Sequence, residues 1–157
     1  MSAASPPSRP TGAAFLLAQL GSHAAQRFSE RVGKIDLIPP HAGILRMIVS
    51  MQECSQQALA ERLDILPSRI VTLIDELEAK GLIKRQRSKT DRRAYALVLT
   101  KRGQQTLVQL SKLAVEHEAD LCAALTGDEL HTLAVLCRKI AEQQGLKTGV
   151  HPGYRSL

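Results

Sequence analysis

The residues in this sequence with the most chemistry to offer are cationic and crowded together. Lys84, Arg85, Arg87, Lys89, Arg92 and Arg93 stand within one short stretch in which Asp91 is the sole acidic residue. Clustered guanidinium and ammonium groups neutralise phosphates, release condensed counterions and give binding that weakens steeply with salt. A second, smaller set lies upstream: Ser68, Arg69 and Thr72 fall on one side of a helix opened by Pro67. Hydroxyls and a guanidinium there suit base edges or phosphates, and Arg69 is the candidate for guanine. Ser55, Gln56 and Gln57 add polar groups suited to backbone phosphate where the chain enters this region. A net charge of +6 agrees with a polyanionic partner. The absence of Trp, with two Phe and two Tyr, points away from stacking on single strands and towards duplex DNA. No glycine-rich phosphate loop, metal-ligand cluster or nucleophile with a base partner is evident, so neither an enzyme nor a cofactor is expected.

These residues need a scaffold, and residues 55–100 supply the pattern of one. Over 56–63, Leu59, Ala60 and Leu63 share a face at helical spacing. Asp64, Ile65 and Leu66 leave room for a tight turn. Pro67 opens the next helix, where the missing backbone donor costs nothing. Ile70, Leu73, Ile74 and Leu77 make its apolar stripe, Ser68, Arg69, Thr72, Asp75 and Glu76 lie off it, and Gly81 closes it. Two short helices so joined form a helix-turn-helix, whose second helix can lie in a major groove. Residues 82–85 and 94–99 then read as two strands, with Tyr95, Leu97 and Leu99 alternating with Ala94, Ala96 and Val98. The basic cluster thus sits on a β-hairpin, and the whole reads as a winged helix.

The run Asp91-Arg92-Arg93 through Leu99-Thr100 and Gly103 resembles the wing signature of MarR-type (multiple antibiotic resistance regulator) transcription factors. Residues 57–63 and 77–83 resemble the same family, and the specific likeness covers residues 39–103. The resemblance implies a mainly α fold with a small β-hairpin wing, and N- and C-terminal helices that interlock two copies into a homodimer. It also implies a repressor that reads a pseudo-palindromic operator and is released by a small phenolic or anionic effector. Asp91 and Arg93 correspond to positions that shape the wing, and Arg92 is placed to reach a minor groove, whose negative potential favours arginine. Two positions depart from the family pattern. Leu66 stands where a capping Ser or Thr is common, and Glu76 where a basic residue is frequent.

The remaining chain fits one domain of 157 residues rather than two. Residues 1–12 read as a flexible lead-in, 13–38 and 101–144 as dimerisation helices, 39–100 as the winged helix-turn-helix and 145–157 as a mobile tail. Phe15, Leu16, Leu20 and Ala24 line the first helix. Pro39 and Pro40 interrupt, and a second helix from His41 buries Ile44, Leu45, Ile48 and Val49. Ser55 and Thr100 cap the helices that follow them, and Thr126 with Glu129 forms a capping box. The terminal helices carry apolar faces that one copy cannot cover, and a two-fold dimer would present two recognition helices about one DNA turn apart.

His23 and Arg27, with His41, are candidates to line an effector cleft, the arginine pairing a carboxylate and a histidine adding a hydrogen bond. His117 reads as a surface or interface residue. Cys54, expected in an accessible turn, raises thiol sensing as an alternative mode of regulation, while Cys122 and Cys137 fall on apolar faces as core candidates. A winged helix used for protein interaction is a further alternative. No run is long and apolar enough for a membrane span, and the N-terminus lacks the order of a secretory signal, so a cytoplasmic protein is expected.

Overall fold

The computed structural model describes residues 12–89 and 93–156. Its elements run α1 (Ala13–Gly33), α2 (Pro39–Ser50), α3 (Gln56–Leu63), α4 (Pro67–Ala79), β1 (Ile83–Arg87), β2 (Tyr95–Leu99), α5 (Lys101–Leu121) and α6 (Gly127–Gln143), ending in a 3-10 turn at Pro152–Ser156. The mainly α, winged helix-turn-helix reading holds. Among the described residues no helix is long and apolar enough to cross a membrane.

Local chemistry accounts for the helix ends. The Ser55 hydroxyl accepts from the Ala58 amide at 3.1 Å and starts α3. Asp64, at φ 58°, stops it in a left-handed conformation. Pro67 occupies the opening position of α4. Gly81, at φ +69°, ends α4 in a Schellman turn, with the Gly81 amide bonded to Glu78 O and the Leu82 amide to Leu77 O. Thr126 and Glu129 satisfy each other's backbone amides at the start of α6.

Packing is concentrated around α4. Its Ile70, Leu73, Ile74 and Leu77 are buried in one cluster with Ile44 and Leu45 of α2 and Leu59 and Leu63 of α3, and the hairpin adds Ile83 and Leu97. The strands pair antiparallel with Ile83 opposite Leu99 and Arg87 opposite Tyr95. Leu97 also donates its amide to Cys54 O at 2.7 Å, which fastens the loop before α3 to the wing. Thr100 joins three elements: its hydroxyl donates to Gly81 O at 2.6 Å and accepts from the Gly103 amide at 3.0 Å. α1 lies along α5, where the rings of Phe28 and His117 meet at 5.5 Å and Arg31 pairs with Asp120.

Several expectations are corrected. Pro39 and Pro40 begin α2 instead of delaying it to His41, because the first turn of a helix needs no amide from either residue. Val49 is 61% exposed, on the far side of α2 from the core. Ala96 and Leu97 are both buried, so β2 does not alternate cleanly; the wing packs on the body on one face and meets the loop before α3 on its edge. Cys122 and Cys137 are half-buried and not core. Residues 146–156, expected to trail freely, fold back onto α2 and α3, with Val150 and Tyr154 against the core. Residues 1–11 lie outside the described residues.

The long helices leave apolar side chains uncovered. Phe15, Leu16 and Leu20 on α1, Val115 on α5, and Leu133, Leu136 and Ile140 on α6 are all exposed. No residue of α6 is buried within this chain.

Gly103 marks where α5 crosses the turn after α4. A Cβ there would lie 1.9 Å from Leu82 O, a backbone atom that cannot step aside alone. Gly103→Ala is therefore expected to destabilise the fold by about 1–3 kcal/mol despite the better helix propensity of alanine. Urea unfolding at a fixed protein concentration checks this, and an unchanged midpoint would show that the crossing is looser than described.

Candidate nucleic-acid interface

α4 presents Ser68 and Thr72 to solvent on the side opposite its buried stripe, with the Thr72 hydroxyl bonded back to Ser68 O at 3.5 Å. Arg69, between them, is half-buried, and its Nε has no hydrogen-bond partner among the described residues. Its stem is thus held against the body. Gln57 is exposed at the start of α3 and bonds Glu61 at 3.0 Å; Ser55 and Gln56 are half-buried beside it. Ser55 is committed to capping, which leaves its hydroxyl a structural role first.

The wing is joined to α4 through Arg85. Lys84, Arg87, Lys89 and Arg93 are exposed along it. Asp91 and Arg92, expected at its tip, lie outside the described residues. Arg85, expected as a phosphate contact, is engaged within the chain: its guanidinium bonds Asp75 at 2.6 Å and pairs with Glu78, both on α4. The Asp75 hydrogen bond, with the neighbouring Glu78, raises its pKa further above the ordinary value. The Lys89 amide donates to Glu53 at 3.3 Å, a second tie between the wing and the loop ahead of α3. Arginine at the root of a strand cannot be told in sequence from arginine at its tip, and the sequence reading missed Asp75, Glu78 and Glu53 as partners.

His41 is also corrected. It does not join His23 and Arg27; it is 3% exposed and its Nε2 lies 2.8 Å from Glu76 Oε2 on α4. Its Nδ1 faces the Ile38 amide at 3.4 Å, so the ring connects the start of α2 to the back of the recognition helix. Glu76, singled out in the sequence for its acidic character, has His41 as its partner. Burial is the larger influence on His41 and lowers its pKa below the usual imidazole value; the Glu76 bond pulls upward, while Lys80 and Arg69 reinforce burial. His23 and Arg27 instead border an open cleft of about 240 Å³ between α1 and α5, with Arg31, His117, Asp120 and Leu121. Among the described residues no group of three or more metal-ligating side chains converges.

Cys54 is 1% exposed, not in an accessible turn, and burial pushes its thiol up to about 11. Burial disfavours the thiolate, the form that reacts in thiol sensing.

The comparisons with known proteins agree with this geometry. Residues 35–94 match the MarR family. A putative transcriptional regulatory protein for the hcr operon of Thauera aromatica is 34% identical over 121 residues, spanning 76% of this chain and 73% of that one. The transcriptional repressor CouR, solved bound to a 23-mer DNA duplex, superposes with a TM-score of 0.72 at 30% identity, over 83% of this chain and 92% of its own. Apo MarR from E. coli superposes with a TM-score of 0.73 at 21% identity, over 85% of this chain and 98% of its own, a likeness of fold.

Two predictions follow from the buried groups. The unfolded chain protonates His41 more readily than the folded one, so stability should fall as pH drops through about 6.5 towards the lowered folded value. His41→Gln, which can still donate to Glu76, should lose less stability than the wild type between about pH 7.5 and about pH 5.5, read as the urea midpoint. Equal losses would place His41 outside the pH dependence. In a chain carrying Cys122→Ser and Cys137→Ser, Cys54 should react with a thiol reagent more than about tenfold more slowly when folded than in denaturant; comparable rates would reopen thiol sensing.

Proposed function

This chain belongs to the MarR family of transcriptional regulators, and we propose that it works as a homodimer that binds double-stranded DNA sequence-specifically and represses transcription until a small phenolic or anionic effector releases it. The observation that carries the reading is the joining of α4 and the wing into one body by Arg85, which sets Ser68, Arg69 and Thr72 beside a cationic hairpin. In this arrangement α4 enters a major groove and reads base edges, Gln56 and Gln57 meet phosphate, and Arg87, Lys89, Arg92 and Arg93 follow the backbone towards the minor groove.

The uncovered faces of α1, α5 and α6 support a second copy as their cover, since apolar patches of this extent mark association surfaces. A two-fold pair offers two α4 helices to an inverted repeat. His23 and Arg27, the latter also pairing with Glu30 at 3.4 Å, would meet an anion in the cleft between α1 and α5.

Sequences selected from a random duplex pool should be inverted repeats with half-sites about one helical turn apart. Light scattering should return twice the 17.1 kDa chain mass. Arg69→Ala should cost about 1–3 kcal/mol and relax preference at one base position, whereas Arg92→Ala should weaken all sequences alike and lower the salt slope by about one. Fluorescence anisotropy across a salt series measures both. A folded dimer that selects no duplex at low salt would overturn the reading.

A further inference from the structure

α4 opens in a way that helix energetics do not favour. The helices α3, α5 and α6 begin on Ser55, Thr100 and Thr126, whose hydroxyls accept from the amides of Ala58, Gly103 and Glu129. Leu66 holds the same position before α4, where no side-chain cap forms among the described residues. A leucine there forgoes the stabilisation that a serine would supply. It gains no burial in exchange, because Leu66 is 61% exposed. Val71 repeats the pattern inside the helix. It is 38% exposed where Ile70, Leu73, Ile74 and Leu77 are all buried, and a β-branched residue on an outward face is a weaker helix former than alanine.

Both side chains lie among the polar groups assigned above to DNA. Leu66 borders an open cleft of about 690 Å³ together with Gln56 and Gln57 at the start of α3. Val71 is three positions after Ser68 and one before Thr72, on the exposed face that carries them. An aliphatic side chain can bond neither a phosphate nor a polar base edge. What the major groove offers it is the 5-methyl group of thymine.

We propose that Leu66 and Val71 read thymine, each packing against a 5-methyl group in the major groove and so selecting a T·A pair at its position in the half-site. The inference rests on the DNA-reading function proposed above and names the base that its apolar residues specify. Base edges are met by the N-terminal residues of a recognition helix, and both residues stand within the opening turns of α4.

The test uses the duplex selected by the full-length protein, with single thymines replaced by deoxyuridine, which removes the methyl group and keeps the pairing. At two positions in each half-site the replacement should weaken wild-type binding about fourfold, the transfer value of one methyl-sized group, read by fluorescence anisotropy at fixed salt. Leu66→Ser should bind the thymine and uracil forms alike at one of these positions, and Val71→Ala at the other. Both variants should keep or raise the urea midpoint, since serine restores a cap and alanine is the better helix former. A lowered midpoint with thymine preference intact would make the residue structural and overturn its assignment. A selected half-site without thymine, or one whose uracil forms the wild type binds equally well, would overturn the inference and leave the proposed function standing. A folded protein that selects no duplex would overturn that function, and the thymine reading with it.

Discussion

In the function proposed above α4 lies against phosphates, which bare carboxylates would repel, and α4 carries Asp75, Glu76 and Glu78. Each of the three is turned to a partner within the protein: Glu76 to His41, and Asp75 and Glu78 to Arg85. The pairing has two results. Asp75 and Glu78 share the one positive charge of Arg85 while Glu76 takes a hydrogen bond from His41, and the helix is fastened at its back to α2 and at its end to the wing. Exposed ion pairs contribute modestly to stability, so their main effect here is orientation; the adhesion comes from Ile70, Leu73, Ile74 and Leu77 in the core.

The rest of the lobe is arranged to keep that orientation. Leu97 bonds Cys54 O, Lys89 bonds Glu53, and Thr100 draws the end of the hairpin, the Gly81 turn and the start of α5 to one point. Gly103 allows α5 to cross in contact with Leu82 O. The lobe is tied to α1 and α5 by the same core. Val32 of α1 and Leu110 of α5 lie in the same core cluster as α4, the wing continues into α5, and the C-terminal segment is laid across α2 and α3. A cavity beside Tyr154 lies where these meet.

Much of this architecture was legible in the residues because it is decided locally. The bounds of α3 and α4, the caps at Ser55, Thr100 and Thr126, the left-handed Gly81 and the basic hairpin all depend on neighbours a few positions away, and helical or strand spacing exposes them. The family likeness of the wing and the recognition helix is of the same local kind. Pro39 and Pro40 were misplaced because a proline pair reads equally as the end of one segment or the first turn of the next.

Tertiary structure decided the rest. His41 and Glu76 are 35 positions apart, Tyr154 and Pro39 are 115, and no periodicity connects them. Cys54 follows a helix in a segment that looks exposed, yet it is buried, and the Leu97 amide of the wing bonds its carbonyl. Arg85 and Arg87 are two residues apart on one strand, and only the position of α4 beneath the first separates an anchor from an exposed cation. The sequence by itself determined which elements form and which surface is cationic, because propensity, capping and spacing act over a few residues. Which charges are already paired, which thiol is buried and where the tail comes to rest depended on distant segments meeting, and that meeting is set by burial of the shared core.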